Sequence, residues 1–250
     1  MNRIKILEIS ACCNKQAEKK LSFKANSVDR MYAFMKDIIQ KDSYDILSIR
    51  EICWNAIEKL NSILEGYKFY IHKDFENVED RYKSTYSCLS VAFVKDTIEF
   101  NQLYTSDNFH TTLRYVFGEI KFSNQLIYFK TTHIPCANYG ISDHVSRKKS
   151  MLLDELEFQK KYDNTLAISS GDFNGCNDSR YYCSDIYGEF VFKDLIQEPT
   201  YENKCLDHVF VSKTIDESPN IKVETKVLDD FYMKYTDHKL ISITITSNDY

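Results

Sequence analysis

Many short stretches of the chain alternate apolar and polar residues, and this alternation predicts β-strands. Three longer stretches instead repeat apolar residues every three or four positions, which predicts helices at 27–41, 55–65 and 145–161. Ser27 is the expected N-cap of the first helix. The strands are predicted at 4–10, 44–49, 67–72, 88–95, 98–104, 113–122, 126–133, 166–168, 190–195, 206–212, 221–228 and 239–246.

The predicted strands outnumber the predicted helices, and the helices are spread along the chain. This order favours an α/β architecture in which two mainly antiparallel sheets pack face to face with helices outside. The chain has 250 residues, with only 3 prolines and 6 glycines and no low-complexity tract that would mark a linker. We therefore expect a single domain over residues 1–250.

The overall charge and the cysteines narrow the class of protein. A formal net charge of −5 counts mildly against long, nonspecific contacts with nucleic acid, although a bound divalent cation offsets acidic residues locally. The first strand carries charged residues, and no apolar run reaches the ~20 residues that span a bilayer, so we expect a cytoplasmic protein with no membrane span. The 8 cysteines form no Cys-x-x-Cys pair and no zinc-site spacing, which favours buried thiols in a reducing compartment.

The candidate chemistry lies in the last third of the chain, beginning with the sequence Ser-Gly-Asp-Phe-Asn-Gly at 170–175. Asp172 and Asn174 follow a predicted buried strand, and residues two apart lie on the same side of an extended chain. Such a strand end can hold a carboxylate and an amide against a phosphate and a metal ion. The same residues are also typical of a turn.

Two more segments in this part of the chain place an aspartate beside a histidine, next to a strand-like apolar run. Asp207 precedes His208 near the start of the strand predicted at 206–212, and Asp237 precedes His238 just before the last strand. His208 is expected to point to the other face of its strand and to pack rather than react. The candidate residues lie at strand ends, which can converge on one edge of a sheet sandwich.

Residues 45–52, Asp-Ile-Leu-Ser-Ile-Arg-Glu-Ile, and residues 131–135, Thr-Thr-His-Ile-Pro, complete an ordered set of motifs. In this order and at these spacings, the chain resembles the endonuclease/exonuclease/phosphatase superfamily of metal-dependent phosphoesterases over residues 4–245. The resemblance implies a four-layer αββα sandwich, which agrees with the strand pattern. It also implies hydrolysis of a phosphoester with Mg²⁺ as the cofactor, or with Mn²⁺ in its place.

The resemblance also implies a metal site and a nucleophile site. Glu51 is implied to be the main Mg²⁺ ligand and Asp237 a second metal ligand, since magnesium is usually held by one or two carboxylates and several waters. Asp172 is implied to align or deprotonate the attacking water. Asn174 is implied to hydrogen-bond the phosphate or the nucleophile.

Further basic groups complete the implied site. His238 is implied to pair with Asp207, whose carboxylate would fix the imidazole tautomer and stabilise the imidazolium. The sequence leaves open whether His238 acts as a general base or stabilises the transition state. His133 is implied to donate to a nonbridging phosphate oxygen. Arg147 resembles, more loosely, an arginine that some members carry in this helix and that would contact phosphate, and a solvated helix face is the competing interpretation.

Two positions depart from the pattern of the superfamily. Its first strand normally ends in an asparagine that touches the metal or the phosphate, whereas this chain has Ser10 there, with Asn14 as the alternative if the loop is shifted. A glutamine usually precedes the metal-binding glutamate, whereas this chain has Arg50. We expect Ser10 to lower metal affinity or rate, and Arg50 to compete with Mg²⁺ or contact the substrate.

These features predict a Mg²⁺-dependent phosphodiester hydrolase, in the first place a nuclease that acts on DNA as a monomer. A second hypothesis is a phosphatase or phosphodiesterase for a phosphoinositide or another small phosphoester, which the acidic composition slightly favours. A third is a binding protein that kept the fold with weakened catalysis, for which Ser10 is the only sequence feature. Turnover with Mg²⁺, measured on both classes of substrate, separates the three hypotheses.

Overall fold

The structure is a computed structural model, and it describes residues 3–13, 26–84, 86, 88–104, 113–136, 142–174, 184–228 and 233–248. The strands of the described residues are β1 (Arg3–Ser10), β2 (Ile46–Ile52), β3 (Tyr67–Tyr70), β4 (Leu89–Lys95), β5 (Phe100–Leu103), β6 (Tyr115–Phe122), β7 (Gln125–His133), β8 (Ala167–Asp172), β9 (Lys193–Asp194), β10 (Asp207–Val211), β11 (Ile221–Val227) and β12 (Ile241–Ser247). The helices of the same residues are α1 (Ser27–Lys41), α2 (Trp54–Asn61), α3 (Lys73–Glu76), α4 (Asp80–Lys83), α5 (Ser142–Tyr162), α6 (Ser184–Tyr187) and α7 (Lys213–Asp216).

Within the described residues, the strands form two six-stranded sheets. The first sheet has the order β11-β12-β1-β2-β4-β3, and the second sheet has the order β5-β6-β7-β8-β10-β9. Neighbouring strands are antiparallel, except that β1 is parallel to β2 and β7 is parallel to β8. The predicted pair of mainly antiparallel sheets is therefore confirmed.

Each sheet packs one face on helices and the other face on the opposite sheet. Phe34 of α1 and Leu60 of α2 pack with Leu7 on the outer face of the first sheet. Leu152 of α5 packs with Phe117 on the outer face of the second sheet. Burying one such side chain contributes about 1.5–3 kcal/mol, so these layers supply much of the stabilisation. The resulting order of helix, sheet, sheet and helix confirms the predicted αββα sandwich.

The first helix has the predicted bounds, but its predicted N-cap, Ser27, is wrong. The N-cap is Asn26, whose side-chain oxygen accepts a hydrogen bond from the backbone N–H of Asp29 at 2.9 Å. This bond satisfies one of the N–H groups that have no partner within the first helical turn. Asp29 in the first turn and Lys41 in the last also complement the helix dipole.

The other predicted elements correspond to observed ones, with ends that differ by a few residues. The strand predicted at 166–168 continues to Asp172, so the strand itself carries the first candidate carboxylate. The short helices α3, α4, α6 and α7 were not predicted, because a single turn shows no helical repeat of apolar residues. None of the described helices is long and apolar enough to cross a membrane.

The core between the two sheets changes from apolar to polar along its strands. On β1, Ile4 and Ile6 belong to this core, and Glu8 follows with the same alternation of faces. We call the region in which polar side chains replace the apolar ones the polar end of the core. The buried residues of this region are Glu8, Ser48, Arg50, Thr131, His133, Ser170, Asp172 and Asp207.

Candidate active site

The polar end of the core lies at one edge of the sandwich, where strand ends from both sheets meet. Because β1 and β2 are parallel, Ser10 and Glu51 reach this edge together. Because β7 and β8 are parallel, His133 is in register with Asp172. The antiparallel strand β10 begins at the same edge, with Asp207 opposite Asp172. The two parallel pairs, together with β10, therefore bring the predicted site residues of five strands to one edge.

Glu51 has an unusual backbone conformation at the end of β2. Its φ is 50°, and the register of β2 against β4 shifts between Ile49 and Ile52. A left-handed conformation at a residue other than glycine costs about 1–3 kcal/mol, and such residues cluster at functional sites. Cys12 and Asn174, which follow β1 and β8 at the same edge, have φ values of 51° and 52°. The backbone is thus strained at three strand ends that carry candidate residues.

His133 faces two of the candidate carboxylates. Its Nε2 lies 3.3 Å from Oε1 of Glu51 and 3.8 Å from Oδ2 of Asp172. The guanidinium of Arg114 lies 3.1 Å from Nδ1 of His133, and because arginine can only donate, the ring proton is on Nε2. Burial and the charge of Arg114 hold the pKa of His133 well below 6.5. His133 is therefore neutral at pH 7 and directs an N–H group into the site.

The segment after β8 folds back on Asp172. The backbone N–H of Asn174 donates to Oδ1 of Asp172 at 2.8 Å, and Nδ2 of Asn174 donates to Oδ2 at 3.0 Å. The same Nδ2 donates to the carbonyl oxygen of Ile134 at 2.7 Å, and Lys148 of α5 donates to the carbonyl oxygen of Asn174 at 2.9 Å. Both amide hydrogens of Asn174 are thus used inside the loop. Its Oδ1 can still accept a hydrogen bond from water, whereas donation to a phosphate would break one of these contacts.

Gly171 shows why this motif needs a glycine before the aspartate. Its φ is 138°, and a Cβ atom at this position would lie 1.9 Å from the carbonyl oxygen of Thr132 on β7. Any larger residue would push β8 away from β7. The adjacent pair in this register is His133 and Asp172, so the glycine keeps these two site residues close.

His238 and Asp207 form a buried ion pair. Nδ1–H of His238 donates to Oδ2 of Asp207 at 2.7 Å. Burial raises the pKa of Asp207, but the charges of His238 and Arg50 outweigh it and lower this pKa to about 2. Burial lowers the pKa of His238, but Asp207 and Asp172 outweigh it and raise this pKa to about 10. At pH 7, His238 is therefore an imidazolium and Asp207 an ionised carboxylate.

Asp172 lies directly opposite Asp207 in the register of β8 and β10. Burial, with the negative charges of Asp207 and Glu51, raises the pKa of Asp172 to about 7 against the opposing charge of His238. When two carboxyl groups are neighbours, repulsion between their negative charges raises the pKa of one of them. Asp207 therefore keeps the negative charge, and Asp172 has a pKa suited to accepting a proton near neutral pH.

Asp237 contacts Cys12, a residue that the sequence pattern placed among ordinary buried thiols. The thiol of Cys12 donates to Oδ1 of Asp237, and the backbone N–H of Asp237 donates to the sulfur at 3.4 Å. Burial, with the charges of Asp237 and Glu51, raises the pKa of this thiol well above 9.0, so the thiol stays protonated. Oγ of Ser10 lies 3.9 Å from the same sulfur, which places Ser10 next to the Cys12–Asp237 contact.

Arg50 lies in the core between the sheets, away from the position that contact with a substrate requires. One terminal nitrogen donates to Oε2 of Glu8 at 3.0 Å, and the other donates to Oδ1 of Asp207 at 2.7 Å. Only 2% of its side chain is exposed. The alternation along β2 turns Arg50 into the core between the sheets, so its guanidinium does not contact a substrate directly, although its charge lowers the pKa of Glu51.

The remaining candidates are Arg147 and Asn14. Arg147 is half-buried on α5, and within the described part of the chain it makes no hydrogen bond or ion pair. Lys148, the next residue, is the cation of this helix that reaches the site. Asn14 lies outside the described residues.

The carboxylates at this edge fit a hard divalent cation. The side chains of Glu51 and Asp237 are 18% and 19% exposed, and burial, with the charge of Asp237, raises the pKa of Glu51. A bound cation would offset this repulsion. Across the described ranges, no group of three or more His, Cys, Asp and Glu side chains is placed to hold a metal. Mg²⁺ and Mn²⁺ nevertheless suit a site of one or two carboxylates completed by waters, whereas a protonated thiol is no ligand for them.

Comparison with known proteins identifies the fold. No protein-family model matches the sequence, and no curated protein matches it. D. rerio TDP2 complexed with a single-strand DNA product has a TM-score of 0.66 and 13% identity, over 98% of this chain and 99% of that chain. The catalytic domain of human Nocturnin with a bound sulfate anion has a TM-score of 0.65 and 15% identity, over 98% and 95%. An endonuclease/exonuclease/phosphatase family protein from Bacteroides thetaiotaomicron has a TM-score of 0.64 and 15% identity, over 98% of each chain.

The chain has the fold of the endonuclease/exonuclease/phosphatase superfamily. The resemblance seen in the sequence motifs is therefore confirmed at the level of the fold, over nearly the whole chain. Because the identities are only 13–15%, these similarities describe the scaffold, and the roles of the site residues rest on the geometry above.

Replacing Arg114 with methionine is expected to lower turnover about 10- to 100-fold, the usual effect of removing a group that orients a site residue. Without Arg114, Nδ1 of His133 loses the donor that excludes a proton from it, and the pKa of His133 rises because a neighbouring positive charge is lost. Initial rates on a phosphodiester substrate measure the effect. Arg114→Lys keeps the charge and is expected to retain more activity, and Arg81→Met, a change at an exposed arginine, serves as the control. Equal rates for Arg114→Met and the wild type would contradict the role.

Proposed function

We propose that this protein is a divalent-metal-dependent phosphodiester hydrolase that acts on nucleic acid, with DNA as the expected substrate. The observation that carries the proposal is that Asp172, which can accept a proton, lies near the imidazolium of His238, which is held in place. Asp172, with a pKa of about 7, lies opposite Asp207, which holds the imidazolium of His238. Phosphodiester hydrolysis needs both groups, because water loses a proton while negative charge builds on the phosphate oxygens.

Each residue has one task in this proposal. Asp172 takes the proton of the attacking water, and Oδ1 of Asn174 accepts a hydrogen bond that orients this water. The imidazolium of His238 and Nε2–H of His133 stabilise charge on the phosphate oxygens. We assign His238 this stabilising task rather than that of a general base, because a group with a pKa of about 10 already carries its proton at pH 7.

Glu51 and Asp237 are the residues that would hold Mg²⁺ or Mn²⁺. When bound, the cation neutralises charge on the phosphate and lowers the pKa of water. The protonated thiol of Cys12 donates to Asp237 and thereby holds this carboxylate in place. Ser10 lies next to the contact between Cys12 and Asp237. The expected effect of Ser10 on metal affinity stays a prediction.

The proposed substrate class is supported by the contents of two similar structures. The D. rerio TDP2 structure contains a single-strand DNA product, and the Nocturnin structure contains sulfate, which has the tetrahedral shape of phosphate. Both share the fold of this chain. The cytoplasmic location and the monomeric state remain predictions.

Nicking of supercoiled plasmid in the presence of Mg²⁺ tests the proposal, with an inositol polyphosphate assayed in parallel. We expect the wild-type protein to nick the plasmid, EDTA to abolish nicking, and excess Mg²⁺ or Mn²⁺ to restore it. Asp172→Ala is expected to reduce the rate about 10²- to 10⁴-fold, the usual contribution of a proton acceptor. Phosphate release without nicking would move the protein to the small-phosphoester class. Inactivity on both substrates would favour the binding-protein hypothesis.

A further inference from the structure

A row of buried charged side chains crosses from the first sheet to the second and ends at His238. Arg50 donates from one terminal nitrogen to Glu8 at 3.0 Å and from the other to Asp207 at 2.7 Å. The second oxygen of Asp207 accepts from His238 at 2.7 Å. The side chains of Glu8, Arg50 and Asp207 are at most 2% exposed, so these contacts are shielded from solvent.

Glu8 is itself held from both sheets. The hydroxyl of Ser170 donates to Oε1 at 2.5 Å, and the hydroxyls of Ser48 and Thr131 donate to Oε2 at 2.9 and 3.2 Å. Burial raises the pKa of Glu8, and the contacts with Arg50 and the three hydroxyl groups offset this rise only in part. These four contacts fix the carboxyl group of Glu8, which in turn holds the guanidinium of Arg50 in place.

The shape of the guanidinium determines how Asp207 is oriented. A planar fork sets both the distance and the relative orientation of the two carboxylates that it contacts. Because Arg50 takes Oδ1 of Asp207, Oδ2 is left for Nδ1 of His238. With Nδ1 held on Asp207, the opposite ring nitrogen, Nε2, points away from this pair.

We propose that Arg50, anchored by Glu8, is a positioning residue that orients Asp207 and, through Asp207, the imidazole of His238. The inference rests on the function proposed above, because it concerns the same site. This positioning role would explain why the chain has Arg50 where the superfamily usually has a glutamine. A glutamine lacks both the charge and the fork, so it cannot hold two carboxylates in this way.

The test uses a double variant that keeps the buried charge balanced. Arg50→Gln alone leaves Glu8 without a cation, and this protein can fail to fold. Glu8→Gln/Arg50→Gln removes one charge of each sign, and Asp207 still faces His238. We expect this double variant to fold, with kcat lowered about 10- to 100-fold, as for other groups that orient a site residue. We expect its KM to stay close to the wild-type value, because the lost interaction acts on the transition state.

A spectroscopic readout separates positioning from general destabilisation. The Nδ1–H proton of His238, bonded to a carboxylate, is expected as a downfield ¹H NMR resonance that His238→Ala removes. We expect this resonance to shift or broaden in the Glu8→Gln/Arg50→Gln protein. Arg50→Lys, which keeps the charge but not the fork, should give an intermediate kcat.

The chain offers a matched control in Lys130 and Glu155. Their ion pair, 2.8 Å long with side chains 4% and 1% exposed, joins β7 to α5. Lys130→Gln/Glu155→Gln is expected to keep the wild-type kcat and the His238 resonance. An unchanged kcat and resonance in Glu8→Gln/Arg50→Gln, or equal losses of kcat in both double variants, would overturn the proposal. If the wild type hydrolyses no substrate, the proposed function fails, and the resonance alone still decides the role of Arg50.

Discussion

Replacing Asp207 with asparagine is expected to lower kcat about 10²- to 10³-fold, the usual effect of losing one group that stabilises charge in the transition state. The wild-type carboxylate accepts from Arg50 at Oδ1 and from His238 at Oδ2. Because Arg50 can only donate, the amide oxygen of the new residue must face Arg50. The amide NH₂ group then faces Nδ1 of His238, which becomes an acceptor. His238 keeps its place but loses its positive charge at pH 7.

Steady-state kinetics and NMR titration of His238 check this prediction together. We expect the pKa of His238 to fall from about 10 in the wild type, because protonation of Nδ1 would now oppose a donor. Asp194→Asn is the matched control: Asp194 holds Nδ1 of His208 at 2.6 Å, on the other face of β10. This variant should keep the wild-type kcat. A wild-type kcat in Asp207→Asn would refute the role of the pair, and equal losses in both variants would indicate damage to β10.

Much of the fold could be predicted because alternation is a local property of the sequence. On β8, Ile168 faces the core between the sheets, and Ser170 and Asp172 follow on the same face. On β10 the same face carries Val209 and Asp207. The polar end of the core is therefore visible in the sequence as a change from apolar to polar at alternate positions. The carboxylates of the site were instead predicted from the ordered motifs and from their position at strand ends.

The contacts that could not be predicted depend on how the two sheets and their loops pack. Arg114 belongs to no motif, and its contact with His133 accompanies a backbone hydrogen bond from the N–H of His133 to the carbonyl oxygen of Arg114. Cys12 contacts Asp237 from a backbone conformation with a positive φ, which no local sequence pattern predicts at a cysteine. The partners of Arg50 lie far away along the chain and on both sheets. Sequence reasoning therefore identified Arg50 as unusual but assigned it the wrong surroundings.

Replacing Asp172 with asparagine is expected to lower kcat about 10²- to 10⁴-fold, because the group that accepts the proton of water is lost. The same substitution is expected to stabilise the metal-free protein at pH 8. The pKa of Asp172 is about 7 in the folded protein, against an ordinary value of 3.8. Between about pH 4 and 7 the folded protein holds this proton more tightly than the unfolded chain, so the wild type loses stability as the pH rises through this range. Asparagine does not titrate, and the variant avoids that loss.

The expected gain in the free energy of unfolding at pH 8 is about 2 kcal/mol. A rise in pKa from 3.8 to about 7 corresponds to about 4 kcal/mol at ~1.36 kcal/mol per unit. About 1–3 kcal/mol of this is offset, because the new amide nitrogen faces Nδ2 of Asn174 and one hydrogen bond is lost. For a protein of this size, the net gain corresponds to a rise in Tm of about 4–8 °C.

Thermal unfolding in EDTA from pH 4 to pH 8 measures this effect, with Asp207→Asn as a matched control of opposite sign. The pKa of Asp207 is about 2, below its ordinary value of 3.8, so its ionised form contributes stability that is present above about pH 4 and lost as the pH falls through about 2. The two substitutions remove carboxylates from paired positions on β8 and β10. At pH 8 we expect Asp172→Asn to raise Tm and Asp207→Asn to lower it. A lower Tm in both variants would mean that Asp172 is ionised and stabilising, and it would then not be the proton acceptor.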